Sequence, residues 1–225
     1  MFTTRRVLFG ALCAGVLLAG CKALPGPKEM TADGLERMPS RRAGGVFRLP
    51  GAMFTQYHRL ILEPVTVSFI EDWEKDHRDV SAKEVRRIRD ETASIFREEF
   101  ERELIQRGKY TFANDPGTDV LIVQPTITDL DLAAAETAEL DKKSFSPRSV
   151  ALHVSADLRD AATGTLVGRV DMFAGGEKYG MNELRPVNRG TNAFETRNHL
   201  RNWAQLLNEA LAVAKTDRPP APQQN

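Results

Sequence analysis

The sequence predicts an α+β fold: an antiparallel or mixed sheet of about four strands with two helices packed on one face. Three observations lead to this class. Several short segments alternate apolar and polar residues, two long segments repeat apolar residues at helical spacing, and the segments follow one another in the order β-α-β-β-β-α. Because each strand and each helix buries only one side, the helices are expected to cover one face of the sheet.

The first predicted strand covers residues 58–70 and is rich in β-branched residues. Val65, Val67 and Phe69 point to one side, and the polar residues between them point to the other. Pro64 interrupts this pattern, because a proline has no amide hydrogen to donate to a neighbouring strand. The strand is therefore expected to be bulged at Pro64 or to lie at an edge of the sheet.

A long helix is predicted to begin at Ser81, since Ser81 and Glu84 have the spacing of a capping box. Its apolar residues recur every three or four positions and form one stripe, while charged residues cover the opposite side. Gly108 is the expected residue after the helix C-terminus. The stripe consists of Val85, Ile88, Thr92, Ile95, Phe96, Phe100 and Leu104.

Three further strands and a second helix follow. The strands cover residues 119–130, 149–160 and 165–173, and a hairpin with Gly164 in the left-handed conformation joins the last two. The second helix covers residues 194–215. In the strand 149–160, every second residue is apolar and is predicted to face the core: Val150, Leu152, Val154, Ala156 and Leu158.

The first residues of the chain have the features of a bacterial export signal. Arg5 and Arg6 precede an apolar segment, residues 7–18, that is too short to span a bilayer. The segment ends in small residues and a cysteine, which resembles the lipobox of bacterial lipoproteins: Leu18, Ala19, Gly20 and Cys21. The resemblance implies cleavage before Cys21, acylation of Cys21 by chains such as palmitate, and anchorage in a membrane. The alternative is an ordinary signal peptide with a chance cysteine.

The lipoprotein interpretation divides the chain into four parts. Lys22, and not an aspartate, follows Cys21. By the sorting pattern of Gram-negative lipoproteins, this implies a location at the outer membrane, facing the periplasm. Residues 46–49 can dock on the folded domain. The parts are a signal peptide, residues 1–20; the lipidated cysteine and a flexible tether, 21–50; the α+β domain, 51–215; and a disordered proline-rich tail, 216–225.

Charge and cysteine content exclude several classes of function. The chain has 31 basic and 31 acidic side chains, and removal of Arg5 and Arg6 leaves a small acidic excess. This balance argues against binding to nucleic acid and against a polybasic membrane patch. The only cysteines are Cys13, within the signal, and Cys21. The folded domain therefore has no disulfide, no cysteine nucleophile and no cysteine metal ligand.

The sequence predicts no catalytic residue, no cofactor and no metal site. The glycine-rich segment 175–180 is not followed by the lysine and hydroxyl residue that a phosphate loop requires. Asp129 and Asp131 are two positions apart and form the one carboxylate pair that could serve a glycosidase. No two histidines have the spacing of a helical zinc site; they are His58, His77, His153 and His199.

Two long connections, residues 133–148 and 174–193, are the predicted places for a binding surface. The second connection is rich in glycine and polar residues and carries three larger side chains. Tyr179, Met181 and Leu184 are therefore the candidate partner-binding residues.

Three segments together resemble one family. They are YHRLILEPVTVSF, residues 57–69; DPGTDVLIVQPTITDL, residues 115–130; and ALHVSADLRDAATGTLVGRVD, residues 151–171. In this order and behind a lipobox, they look like the DUF3313 family of uncharacterised bacterial lipoproteins. The resemblance implies an α+β domain in the cell envelope and supplies no catalytic residues.

These observations predict a membrane-anchored, non-enzymatic envelope module that binds another envelope protein or a second copy of itself. An exposed sheet edge or the connection 174–193 would provide the binding surface. Two alternatives remain. One is a carrier of an apolar ligand, with the long helix covering a cavity; the other is a cell-wall polysaccharide hydrolase that uses Asp129 and Asp131.

Overall fold

A mixed sheet of eight strands organises the fold. The computed structural model describes residues 29–132, 144–146, 150–175 and 185–216. The predicted α+β class and the two main helices are confirmed, but the sheet has twice the predicted number of strands. Three additional strands are short and extend the two edges of the four-stranded core, and the fourth arises because the predicted first strand is divided in two.

The strands of the main sheet are β1 (Glu36–Met38), β2 (Gly45–Arg48), β3 (Arg59–Leu62), β4 (Thr66–Phe69), β5 (Thr111–Phe112), β6 (Val120–Leu132), β8 (Val150–Asp160) and β9 (Leu166–Ala174). A separate pair consists of β7 (Ser144–Ser146) and β10 (Arg185–Val187). The helices are α1 (Trp73–Asp76), α2 (Ala82–Phe100) and α3 (Arg189–Thr216). The main sheet has the order β1-β2-β9-β8-β6-β3-β5, and β4 pairs with β6 beyond the end of β3.

The predicted first strand is divided into β3 and β4 at Pro64, so the expected interruption is confirmed. Both halves run parallel to β6. The amide of Glu63 donates to the carbonyl of Val123 at 3.0 Å, so Val123 directs its backbone groups toward β3. Pro125, two residues later, directs its nitrogen the same way and has no hydrogen to donate. Two prolines therefore account for the break in pairing.

The N-terminal strands belong to the sheet, which corrects the predicted tether of residues 21–50 over its described part, residues 29–50. Strand β2 pairs with β9, and β1 pairs with β2 as the outermost strand. Leu35 is fully buried, and Arg42 forms an ion pair of 2.7 Å with Glu209 on α3. Main-chain pairing and burial of Leu35 fix this segment, which begins the fold well before residue 51. The predicted docking of residues 46–49 is confirmed, since Leu49 also donates to the carbonyl of Val167.

Helix α2 begins as predicted and ends differently. The Ser81 hydroxyl accepts a hydrogen bond from the Glu84 amide at 3.2 Å, and every residue of the predicted apolar stripe is buried. Beyond α2 the chain continues as a π-helix, Glu101–Arg107. Gly108 keeps a right-handed φ of −75°, and Lys109 adopts the left-handed φ of 60°. Lys109, and not the predicted Gly108, is therefore the first residue beyond the helix C-terminus.

Helix α3 begins at Arg189, earlier than the predicted residue 194. Asn188 and Thr191 exchange hydrogen bonds at its start, which satisfies amides of the first turn. Helices α2 and α3 pack on each other and on the same face of the sheet, where the side chains form one core cluster. None of the described helices has the length and apolar character needed to cross a membrane.

Candidate functional site

The sheet has a polar face on the side opposite the core. The five residues of β8 that were predicted to face inward are buried, which confirms the alternation of that strand. Most of the alternate residues of β6, β8 and β9 are half-buried and polar. We call this side, which includes Gln124, His153, Asp157, Arg159 and Arg169, the polar face.

A continuous chain of polar contacts crosses this face from β3 to the N-terminal segment. Gln124 donates to Glu63 at 3.0 Å and accepts from Arg159 at 2.7 Å. Arg159 lies 3.6 Å from Asp157, which also accepts from Arg169 at 2.6 Å. We call this row, completed by Asp33, the polar ladder.

The last step of the polar ladder ties the N-terminal segment to the sheet. Arg169 donates to Asp33 at 2.8 Å, while its other nitrogen binds Asp157. These hydrogen bonds, that to Asp157 first, raise the pKa of Arg169 above its ordinary value. From Arg159 to Asp33 opposite charges alternate, so each of these groups has a neighbour of the other sign, and the neutral Gln124 joins Glu63 to the row. The ladder is therefore a fixed, charge-paired surface rather than a set of free ionic groups.

The polar face also contains an exposed aromatic residue beside a β-bulge. Phe173 is 59% exposed and lies opposite His153, whose ring nitrogen is 3.5 Å from the Thr128 hydroxyl. The bulge follows Thr128, where Asp129 adopts a left-handed φ of 53°. Bulges of this kind bend a strand and change the direction of its side chains, and they are common next to functional sites.

Asp129 and Asp131 lie on either side of this bulge. Asp129 is exposed and accepts a hydrogen bond from Thr128 at 3.2 Å, while Asp131 is half-buried. Leu130 between them is fully buried, and Asp131 pairs with Ala151 of β8 beyond the bulge. An exposed carboxylate lacks the apolar surroundings that a glycosidase uses for its general acid.

The connection 174–193 is shorter than predicted, because β9 extends to Ala174 and β10 and α3 occupy residues 185–193. Its candidate binding residues Tyr179, Met181 and Leu184 lie outside the described residues. So do the predicted lipobox residues Leu18, Ala19 and Gly20 and the predicted acylation site Cys21. The two most exposed large apolar residues of the described chain, Phe173 and Phe194, lie on either side of this connection in the sequence.

The hairpin between β8 and β9 depends on Asp160. Its carboxylate accepts hydrogen bonds from the amides of Ala162 and Thr163 at 3.1 and 2.8 Å, and from the Tyr57 hydroxyl at 2.8 Å. Gly164 has a φ of 72°, which confirms the predicted left-handed position. Burial raises the pKa of Asp160, but the bond from Tyr57 and those from the turn outweigh it, so the pKa lies below its ordinary value. The Asp-x-x-Thr-Gly sequence is thus a structural turn.

We expect Asp160→Ala to lower the free energy of unfolding by about 1–2 kcal/mol, because it leaves the turn amides and the Tyr57 hydroxyl without their acceptor. The pKa of Asp160 is depressed in the folded state, so its contribution is present above pH of about 4 and is lost as the pH falls through the folded pKa. Urea unfolding at neutral and acidic pH measures the difference. An undiminished difference at low pH would contradict this role.

A buried carboxylate joins the two long helices, and the sequence did not single it out. Glu99 on α2 is fully buried and accepts hydrogen bonds from Arg102 at 2.7 Å, Arg197 at 3.0 Å and Arg201 at 3.1 Å. Burial raises the pKa of Glu99, but the bonds from Arg201 and Arg197 outweigh this and leave the pKa below its ordinary value. The arrangement fixes α3 against α2 and holds the carboxylate in its ionised form.

The histidines do not converge on one site. His58 is exposed, His77 stacks on Trp73 with ring centres 4.2 Å apart, and His153 lies on the polar face as predicted. Burial lowers the pKa of His199 despite the charge of Glu195, which favours the neutral ring. Over the described ranges, no three histidine, cysteine or acidic side chains are arranged to hold a metal ion.

Comparisons with known proteins place the chain in a family. Two crystal structures of PelC dodecamers from Paraburkholderia phytofirmans are similar to it. A single-residue variant in space group C2 has 12% identity and a TM-score of 0.34, with 72% of this chain and 97% of that chain covered. The dodecamer in space group P6 has 10% identity and a TM-score of 0.33, with 70% and 96% covered. No curated protein matches this chain. A family model described as a protein of unknown function, DUF3313, matches residues 28–206, and the chain therefore belongs to the DUF3313 family.

Proposed function

We propose that this protein is a lipoprotein anchored to the bacterial outer membrane through Cys21, and that its periplasmic domain is a non-enzymatic module that binds a second envelope protein or another copy of itself. The basic and apolar residues before Cys21 and the sorting residue Lys22 support the anchor. Two acyl chains or more would hold the protein firmly, since one chain binds a membrane only marginally.

One observation carries the binding role: exposed aromatic residues lie at both ends of the predicted binding connection. Phe173 near the end of β9 is 59% exposed, and Phe194 in the first turns of α3 is 63% exposed. The predicted binding residues Tyr179, Met181 and Leu184 lie between these two phenylalanines in the sequence. Tyrosine and methionine are residue types that interfaces favour, and leucine is a further apolar residue. Aromatic and methionine side chains are enriched in protein interfaces.

The packing beneath the helices favours a binding module over a carrier. A carrier needs a cavity between the long helix and the sheet. In the described residues, that space is occupied by fully buried side chains, among them Phe100 and Leu104 of α2 and its extension and Trp203 of α3. The exposure of Asp129 is likewise unfavourable for the hydrolase alternative.

Crosslinking in intact cells tests this proposal. The full-length protein is compared with a variant in which residues 177–184 are replaced by a glycine-serine segment of equal length. This replacement leaves β9, Gly175 and β10 unchanged, which matters because a side chain at Gly175 would approach the Val150 carbonyl to 2.2 Å. A matched control replaces residues 134–142 in the same way. We expect a specific crosslinked protein that is lost only when residues 177–184 are replaced.

Two outcomes would contradict the proposal. Recovery of monomer alone from the unaltered protein would remove the binding role, and copurification of a lipid in fixed proportion would favour the carrier. A partner that persists in the 177–184 variant and is lost in the control would move the binding surface to the other connection. Mass spectrometry of the N-terminal peptide separately tests the acylation of Cys21.

A further inference from the structure

The folded domain begins at one edge of the sheet. The amide of Arg37 in β1 donates to the carbonyl of Glu29 at 2.9 Å, and Met30 forms a bridge with Glu36. Residues 29 and 30 therefore lie along the outer side of β1, which is itself the outermost strand. The chain that connects the domain to Cys21 leaves from this edge, which we call the β1 edge.

The distance from Cys21 to the β1 edge is limited by chain length. Seven residues separate Cys21 from Glu29, and a fully extended chain advances about 3.4 Å per residue, so the two are at most about 27 Å apart. The opposite edge, at β5, lies six strand spacings away, or about 29 Å. An acylated Cys21 therefore holds the β1 edge at high local concentration near the lipid headgroups.

The side chains of the β1 edge suit a surface of anionic headgroups. Arg41 is exposed and makes no ion pair within the described residues. Arg37 is 45% exposed and lies over the ring of Phe47 at 5.6 Å. Met30 is 49% exposed, an apolar residue where the chain enters the fold.

The acidic residues of this edge have partners. Glu29 pairs with Arg37 at 3.5 Å, and Asp33 belongs to the polar ladder through Arg169. The connecting segment itself contributes Lys22 and Lys28 and no acid. Lysine and arginine next to a membrane anchor are attracted to the negative charge of lipid phosphates.

We propose that the β1 edge is the membrane-facing surface of this protein, where Arg41 binds the phosphates of anionic lipids in the leaflet that holds the acyl chains. The proposal rests on acylation of Cys21, as proposed above. It orients the domain: β1 faces the bilayer, and β4 and β5 at the far edge face the periplasm.

Fluorescence quenching measures this orientation. The purified, acylated protein is placed in vesicles of phosphatidylcholine and phosphatidylglycerol that contain a lipid with a nitroxide on its headgroup. A fluorophore is attached to a single new cysteine, at Ala43→Cys near the β1 edge or at Asn114→Cys near β5, both exposed positions. The folded domain has no other cysteine, so each label is unique. We expect quenching at position 43 to be several-fold stronger than at position 114.

A charge reversal tests the lipid chemistry. Arg41→Glu should reduce quenching at position 43 in vesicles with phosphatidylglycerol and leave it unchanged in phosphatidylcholine alone. Arg86→Glu, at an exposed position on α2, makes the same charge change and should have no effect. Equal effects of the two substitutions would overturn recognition of anionic lipid by Arg41.

The remaining outcomes separate this proposal from the proposed function. Equal quenching at positions 43 and 114, in protein whose N-terminal peptide carries acyl chains, would overturn the orientation and keep the lipid anchor. A peptide without acyl chains, from protein that fails to bind vesicles, would overturn the anchor itself and with it the membrane-facing β1 edge.

Discussion

Replacing Glu99 by alanine is expected to lower the free energy of unfolding by about 3 kcal/mol, the lower part of the range for breaking a buried ion pair. The Glu99 side chain is fully buried and accepts from three arginines on two helices. Removing it leaves Arg102, Arg197 and Arg201 next to one another. Each of these is about one-third exposed and can turn partly toward water, which keeps the loss from reaching the upper part of the range.

The neighbouring residue Glu98 provides a matched control. It binds the same Arg197 at 2.7 Å, but its side chain is 51% exposed. Water screens such a pair and hydrates both groups after the substitution, so Glu98→Ala should cost less than about 1 kcal/mol. Chemical denaturation of the two variants measures the contrast. A loss from Glu99→Ala no larger than that from Glu98→Ala would show that the buried cluster does not hold the helices together.

The pH dependence of Glu99→Gln follows from the sign of the pKa shift. The pKa of Glu99 lies below its ordinary value in the folded protein, because the bonds from Arg201 and Arg197 outweigh the effect of burial. Its contribution to stability is therefore complete above the unfolded pKa of about 4.3 and is lost as the pH falls through the folded pKa. The difference in unfolding free energy between the unaltered protein and the Glu99→Gln variant should be constant near neutral pH and should shrink in acid.

The sequence contained a signal for this cluster that polarity concealed. Glu99 follows Thr92 by seven residues and Ile95 by four, so it continues the apolar stripe of α2, and Glu103 follows Glu99 at the same spacing. Charged residues were assigned to the outer side of the helix because a charge is rarely buried without partners. Two of the three partners of Glu99, Arg197 and Arg201, are on α3, and the sequence of a single helix does not reveal how two helices face each other.

Local pattern was sufficient where a strand is long and half-buried. Burial alternates along β8 from Leu152 to Arg159, and the predicted inward side is the buried side; Ala151, on the predicted outward side, is the one exception and is also buried. The short strands β1 and β2 contain three and four residues, too few for an alternation to be recognised. They form because β9 offers a free edge and because Leu35 is buried by the fold, which are tertiary causes.

The sequence predicted where the connection after β9 lies along the chain. The connection after β9 was correctly placed between a strand and a helix, although β10 and the start of α3 take up part of it. The polar ladder was not predicted, since its residues come from five separate segments and meet only in the folded sheet. The binding role of Tyr179, Met181 and Leu184 stays a prediction.

Replacing Trp203 by alanine is expected to cost about 3–5 kcal/mol, the range for deleting a large aromatic side chain from a core. Trp203 on α3 is fully buried, and its ring centre lies 5.3 Å from that of Phe96 on α2. The loss is a large fraction of the stability of a typical domain, about 5–15 kcal/mol. It would leave a cavity between α3, α2 and the sheet, because a packed core relaxes only partly.

Trp203→Phe should be much less harmful, with a loss of about 1–2 kcal/mol. Phenylalanine keeps an aromatic ring against Phe96, so most of the apolar contact survives. The indole nitrogen of Trp203 is buried and finds no hydrogen-bond acceptor within the described residues. The substitution removes this unsatisfied donor, which offsets part of the lost packing.

The comparison of the two Trp203 variants also bears on how the domain works. Val213→Ala, on the exposed side of α3, is the control and should change stability by less than about 0.5 kcal/mol. Thermal and urea unfolding of the three variants give the energies. If binding requires the helices to stay fixed on the sheet, the Trp203→Phe variant should retain the crosslinked partner. The Trp203→Ala variant should lose the partner at temperatures at which this variant begins to unfold. Equal losses of stability in the alanine and phenylalanine variants would contradict this prediction. They would mean that a hydrogen bond of the indole nitrogen, rather than packing of the ring, supports α3.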